Sequence, residues 1–305
     1  MLLRYTVLAS GSGGNASLVE SDGFGVLLDA GLGPRQLASR FAAVGLSWKR
    51  VQAVVLTHTH SDHWKDATLN QLRKQRVPFW CHPDHHNVLR AYSPSFSSLL
   101  SVGLVQPFEA GQEIAFAPGL RCRPLPIKHD GGATFAFRFE GAPDLFGKSV
   151  ALAYAADLGC WDDALADALA GVDLLAVEFN HDEDMERASG RSPHLIARVL
   201  GDEGHLSNAQ GAALLRAVLA RTPPGRLRHV VQLHLSRDCN RAAAARAAAM
   251  AVLANETGVT LHTAEQNHAG MTLVLGNDSN QPRRQGARKQ RTARMVMGQM
   301  LLPGF

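Results

Sequence analysis

The chain has 305 residues, 46% hydrophobic and 19% charged, enough apolar material for one large domain or two small ones with a real core. No stretch approaches the ~18 consecutive apolar residues of a membrane helix, so no membrane partner is expected, and Met1–Ser10 reads as a strand rather than a leader. The formal net charge of +4 conceals an uneven distribution: six of the 31 basic residues lie in 281–305 with no acid beside them. That leaves 25 basic against 27 acidic residues, a net of −2, in the body of the chain. The boundary predicted is a folded domain over 1–276 and a basic tail over 277–305, the tail being either a disordered end or a loose tether for a polyanion. Four scattered cysteines (Cys81, Cys122, Cys160, Cys239) with no CxxC pair predict a reducing, cytoplasmic setting.

Taken in order, Leu3–Leu8, Ala16–Glu20 and Gly25–Leu28 have the pattern of strands. The turn between the first two, Ser10-Gly-Ser-Gly-Gly-Asn15, is either a plain hairpin turn or a loop presenting amides to a phosphate. Pro34–Val44 has helical spacing with proline near its start. Val51–Leu56 is a buried-type strand, and Asp66–Gln75 a helix. The stretch Val77–Ser101 reads as irregular, with His82, His85 and His86 as surface or helix-cap residues rather than ligands. Strands follow at Gly111–Phe116, Leu120–Ile127, Ala133–Phe139, Ser149–Ala156 and Val172–Phe179, with a helix over Trp161–Ala170. Helices at Ser192–Gly201, Ala209–Ala220 and Arg241–Asn255 alternate with late strands at His229–Leu235, Val259–Thr263 and Met271–Leu275.

Between the strand ending at Leu56 and the helix starting at Asp66 stands Thr-His58-Thr-His60-Ser-Asp62-His63. Residues two apart in an extended segment point the same way, and imidazole with carboxylate suits a divalent transition ion. Polar residues collect at other strand ends too: His129, Asp157, Glu178, His205 and His234. This pattern predicts two sheets packed together, flanked by helices, with one rim carrying the chemistry.

That ordered set resembles the metallo-β-lactamase superfamily, over about Leu3 to Leu275. The resemblance implies an α/β fold, a four-layer αββα sandwich, holding two divalent ions, zinc or manganese. By motif, His58, His60 and His129 would hold one ion, Asp62, His63 and His234 the other, and Asp157 would bridge. Asp29, in Leu-Leu-Asp-Ala-Gly, matches the acid that orders the metal-binding loop from behind. The segments Leu-Ala-Ser-Gly-Ser-Gly-Gly-Asn15, Glu-Phe-Asn-His-Asp182, Gly-His-Leu-Ser-Asn208 and His-Leu-Ser-Arg-Asp238 look like the YycJ (WalJ) subfamily, related to tRNase Z-like phosphodiesterases. Cys239 and Leu158 depart from that subfamily's pattern, and the basic tail is not part of it.

The resemblance implies a 5′-to-3′ exonuclease on single-stranded DNA or RNA, with a homodimer left open. A metal-activated hydroxide would attack, positioned by Asp62. His205, oriented by Glu178, would protonate the leaving oxygen; on spacing alone His205 is as readily a capping or buried structural histidine. Ser12, Asn15, Asn180, Arg237 and Asn240 are candidates for supporting the ligands or touching substrate, although a salt bridge from Arg237 to Asp238 is an equal reading. The alternatives are a small-molecule hydrolase for a cyclic phosphodiester, lactone or thioester, and a non-catalytic metal-binding module.

Overall fold

The computed structural model describes residues 2–144 and 147–276, so the expected basic tail lies outside the described residues. Among them are two seven-stranded sheets. The first contains β1 (Leu3–Ala9), β2 (Ala16–Ser21), β3 (Phe24–Leu28), β4 (Ala53–Val55), β5 (Phe79–Cys81) and β6 (Val105–Pro107), in that spatial order, with β14 (Leu273–Leu275) outside β1. The second runs in order from β7 (Ile114–Ala117) through β8 (Leu120–Ile127), β9 (Thr134–Gly141), β10 (Ala151–Ala155), β11 (Leu174–Glu178) and β12 (His229–Leu233) to β13 (Thr260–Thr263). Strands β3 to β6 pair in parallel, as do β10 to β13. Parallel neighbours bring their C-terminal ends, and the loops that follow, to one edge of a sheet.

Alternation along the strands explains why the two sheets face each other. In β1, Leu3, Tyr5 and Val7 point into the layer between the sheets, while Leu8 faces the opposite way. In β10, Leu152 and Tyr154 enter the central layer. Ala151, Ala153 and Ala155 face the outer helices, and their small size lets those helices pack closely. The outer layer on the first sheet holds α1 (Pro34–Ala43), α2 (Asp66–Gln75), α3 (His85–Tyr92) and α4 (Pro94–Ser101), through Leu37, Phe41, Leu69, Leu72, Leu89 and Phe96. On the second sheet it holds α5 (Asp163–Leu169), α8 (Asn208–Ala220) and α9 (Ala242–Leu253). The short α6 (Glu183–Arg187) and α7 (Pro193–Leu200) lie between these elements in the chain. The layers are therefore helix, sheet, sheet, helix, the expected αββα sandwich.

The expectation for Val77–Ser101 needs correction. The stretch holds one strand and two helices rather than an irregular segment. The helices have eight residues each and bury few large side chains apiece, too few for a visible period. Their junction is fixed by polar contacts instead. Ser93 Oγ accepts from Phe96 N–H (3.0 Å), and Asp66 accepts from Ser93 and Ser95. His85 is not a surface residue. It is 1% exposed and sits 2.7 Å, through Nε2, from the Ala133 carbonyl. The strand β6 and the helix α6 are likewise too short to carry a sequence signal; neither exceeds five residues.

Candidate metal centre

The histidine-rich stretch leaves β4 and turns at the rim of the sandwich. Its backbone is clamped from the first sheet: Asn15 N–H donates to Asp62 O (2.7 Å) and Ala30 N–H to His63 O (2.8 Å). Trp64 Nε1–H donates to Thr59 O (2.9 Å). Two glycines permit the approach. A Cβ on Gly31 would collide with the Asp62 carbonyl, and one on Gly131 with the His58 ring.

The second sheet supplies the partners. His129 lies just beyond β8, Asp157 just beyond β10 and His234 directly after β12, while Glu178 ends β11. Four groups of donors converge among the described residues: His58, His60 and His129; Asp62, His63 and His234; His58, His63 and Asp157; and Asp157, Glu178, His205 and His234, each within 4.8 Å. Asp157 and His234 hold left-handed backbone, at φ of 54° and 55°, as does Asp29 at 61°. Such conformations cost on the order of 1–3 kcal/mol each and persist where packing enforces them.

The outer nitrogens of four of these imidazoles are occupied. His63 Nδ1–H donates to Asp29 Oδ2 (2.7 Å), His129 Nδ1–H to Gly204 O (2.8 Å) and His234 Nδ1–H to Glu178 Oε1 (3.0 Å). His58 Nδ1–H faces Thr57 Oγ1 (3.0 Å), whose own hydroxyl donates to Asp29. Each ring therefore turns an Nε2 lone pair inward. His60 is arranged differently. Its Nδ1 faces His129 Nε2 at 3.2 Å, and its Nε2 lies 3.4 Å from Asp130 Oδ1.

This donor set fits divalent metal. The buried atoms His58 Nε2, His234 Nε2 and Asp157 Oδ2 have no hydrogen-bond partner, and an unmatched buried polar atom costs roughly 1–3 kcal/mol. His63 Nε2 stands 3.1 Å from Asp157 Oδ2 although its ring proton is already committed to Asp29. Burial alone would depress the His63 pKa, but Asp29 and Asp157 outweigh it and raise it well above the ordinary value. His58, under burial with His63 beside it, falls well below its own. Crowded imidazoles pushed in opposite directions around carboxylates are what a cation would relieve.

Glu178 is a buried hub. Its Oε2 accepts from Leu158 N–H (2.9 Å) and Leu206 N–H (3.0 Å), and its Oε1 from His234 (3.0 Å) and His205 (2.9 Å). Burial would raise its pKa, but His205 and His234 hold it down at about 2. The His205 ring stands between those of His129 and His234, with centroids 4.9 and 5.1 Å away.

The remaining candidates fall into place unequally. Asn15 Nδ2 donates to Asp62 Oδ2 (3.2 Å) and lies 3.0 Å from His63 Nε2. Asn180 Nδ2 donates to His234 O (2.8 Å). Asn240 directs its amide to Phe179 O, Asn180 O and Asn208 Oδ1, which leaves it no free donor for substrate. Ser12 and Arg237 line a cleft of about 340 Å³, with Leu235 and Gln266. Asp238 pairs with Arg191 (3.1 Å), not with Arg237, whose guanidinium has no ion pair among the described residues. The Gly/Ser turn is not a free cradle: Gly13 N–H is taken by Gln266 Oε1 (2.7 Å) and Gly11 N–H by Asn15 Oδ1 (2.8 Å). Thr57, Asp130 and Arg198 join the site without a motif to mark them. Thr57 directly precedes a proposed ligand, the one signal the sequence carries for it; Arg198 is remote in sequence.

Residues 25–224 match the model of the beta-lactamase superfamily domain. The chain belongs to that superfamily. Within it, the chain is 27% identical over 237 residues to "Exodeoxyribonuclease WalJ" of Streptococcus pneumoniae, covering 78% of this chain and 83% of the relative. It is 29% identical over 258 residues to "Exodeoxyribonuclease YycJ" of Bacillus anthracis, covering 83% and 90%. Among solved structures, Zn(2+)-bound PqqB from Methylobacterium extorquens shares the fold, with a TM-score of 0.63 at 20% identity over 88% of this chain and 99% of that one.

Proposed function

We propose that this protein is a metal-dependent exodeoxyribonuclease that degrades single-stranded DNA from the 5′ end. The similarity to proteins named exodeoxyribonucleases supports the reaction class. The observation that carries the reading is the Glu178–His205 pair beside the donor cluster. A phosphodiester leaves as an alkoxide and needs a proton, whereas a thiolate leaves unaided. Two divalent ions held by His58, His60, His129, Asp62, His63, His234 and Asp157 would supply an activated water and neutralise charge at the phosphate.

The chain's own groups do the rest. Asp62 accepts from Asn15 through Oδ2 and orients the attacking water. Glu178 fixes the His205 proton on Nδ1, so a second proton on Nε2 is the one delivered to the leaving oxygen. Arg237, unpaired in the cleft beside His234, contacts a phosphate of the strand. The four scattered cysteines, all free thiols, support a reducing, cytoplasmic setting.

His205→Ala should retain metal and slow cleavage of oligodeoxynucleotides by roughly 10²–10⁴-fold, the usual worth of a general acid. It should slow bis-nitrophenyl phosphate far less, because nitrophenolate leaves without a proton. Equal loss on both substrates would remove the acid role. Arg237→Ala is expected to raise KM for a single-stranded oligonucleotide on the order of tenfold, the loss of one charge-assisted hydrogen bond of roughly 1.5 kcal/mol. The test of the whole reading is an end-labelled single-stranded oligodeoxynucleotide with manganese or zinc. Stepwise release from the 5′ end is expected, and hydrolysis of only a lactone, thioester or cyclic phosphodiester would replace the reading with a small-molecule hydrolase.

A further inference from the structure

His63, His58, His129 and His234 are each fixed through the outer ring nitrogen by a buried group close at hand. His60 is not. Its side chain is 33% exposed, and the group facing its Nε2 is Asp130 Oδ1 at 3.4 Å. Asp130 stands in a loop after β8 and is itself partly exposed, so on its own it would be a weak anchor. Arg198, from α7, grips it with both prongs of the guanidinium: Nε–H donates to Oδ2, and Nη2–H to Oδ1 at 3.0 Å. A fork-to-carboxylate contact fixes the plane of the carboxylate as well as its position.

The same stretch of chain reaches the other parts of that half of the site. Gly204 supplies the carbonyl for His129 Nδ1–H, Glu203 O accepts from Asp130 N–H (2.9 Å), and His205 N–H donates to Val199 O (3.0 Å). Yet α7 is lightly seated. Of its eight residues only Val199 is buried, and none belongs to the three core clusters. The ion position at Asp62, His63 and His234 takes its outer contacts from Asp29, Asn15 and Glu178, none of which lies on α7 or touches Asp130.

We infer that Arg198 is a positioning residue for one of the two metal sites: by pinning Asp130 it orients His60, and so sets the affinity of the ion held by His58, His60 and His129 without acting on the other. The inference rests on the dinuclear reading of the centre. Losing an outer partner of a metal-bound histidine typically costs 10–100-fold in metal affinity. The two sites therefore differ in how easily they empty, and the weaker one answers to α7.

The experiment is a metal titration of the full chain, stripped of metal and reloaded with cobalt(II) or zinc(II), followed by calorimetry and by the cobalt absorption bands. Wild type should bind two ions. Arg198→Ala and Asp130→Asn should each weaken one ion by 10–100-fold and leave the other within about twofold, with matching loss of one set of cobalt bands. Arg198→Lys, which keeps the charge but not the fork, should fall between. Two ions bound with unchanged affinity in both Arg198→Ala and Asp130→Asn overturns the inference, as does equal weakening of both ions in either variant. If Arg198→Ala does not fold, Asp130→Asn decides alone. A wild-type chain that binds no ion at all refutes the dinuclear reading rather than the role of Arg198.

Discussion

Asp157→Ala is expected to take hydrolysis to background and to empty at least one metal site in the same preparation. The residue lies among both proposed ion positions: it shares one donor cluster with His58 and His63, which belong to different positions, and its Oδ2 stands 3.1 Å from His63 Nε2. No neighbouring acid can replace it: Asp62 is shared with His63 and His234, and Glu178 already accepts four hydrogen bonds. Burial would raise the Asp157 pKa, but His234 and His63 hold it well below the carboxylate range, so the group stands ready as an anion. Alanine also fits the backbone poorly at φ 54°, whereas asparagine tolerates that region. Asp157→Asn should therefore be as inactive as alanine but more stable, by on the order of 1 kcal/mol. Activity assays paired with elemental analysis and urea unfolding of both variants check this. An alanine variant with full turnover would refute the bridging role.

The second large effect falls on Glu178. Replacing it with alanine strands two peptide N–H groups and two imidazole N–H groups in a buried space. Breaking a buried charged network of this kind typically costs roughly 3–5 kcal/mol. Glutamine is the sharper probe. Its carbonyl oxygen can still accept from Leu158 and Leu206, but its NH₂ then meets the donors on His205 and His234. Both rings lose their fixed tautomer, one a proposed acid and the other a proposed ligand. Glu178→Gln should therefore slow DNA cleavage at least as much as His205→Ala, by 10²-fold or more, and should also weaken metal. Adding His205→Ala to it should cost little further. A Glu178→Gln enzyme faster than His205→Ala would show that His205 needs no orienting carboxylate.

Much of this site can be read from the chain because its donors stand at strand ends, where hydrophobic runs give way to His and Asp within a few residues. His58 to His63, His129, Asp157 and His234 are all visible in that way, and the alternating and continuous apolar runs predict the sandwich that gathers them. What cannot be read has a common physical cause: contacts that join residues far apart in sequence without a local pattern. Asp130 with Arg198 spans 68 positions, and Glu178 to His234 spans 56, so the double duty of that carboxylate emerges only in three dimensions. The fate of Asn240 is equally hidden. Close to a proposed ligand in sequence it looks available to substrate, but its amide is used up in holding two backbone segments together. The helices of 85–101 escape notice because capping and Asp66, rather than a long apolar stripe, determine them.

The four residues of 58–63 hang from the first sheet, while His129, Asp157, Glu178 and His234 hang from the second. The centre thus straddles the seam of the sandwich and works as a gauge of how the halves are aligned. A slip of 1 Å between the sheets would leave the aromatic layer of Phe135, Phe137 and Phe139 still mostly dry, yet misplacement on that scale at a reacting centre can cost about 10²-fold in rate. Conservative changes deep in the central layer, far from any donor, should therefore register in turnover before they register in melting. Conversely, whatever binds across the seam rivets two halves that otherwise adhere through a fluid-free but direction-poor contact, and any ligand specific to the folded state raises its stability by mass action.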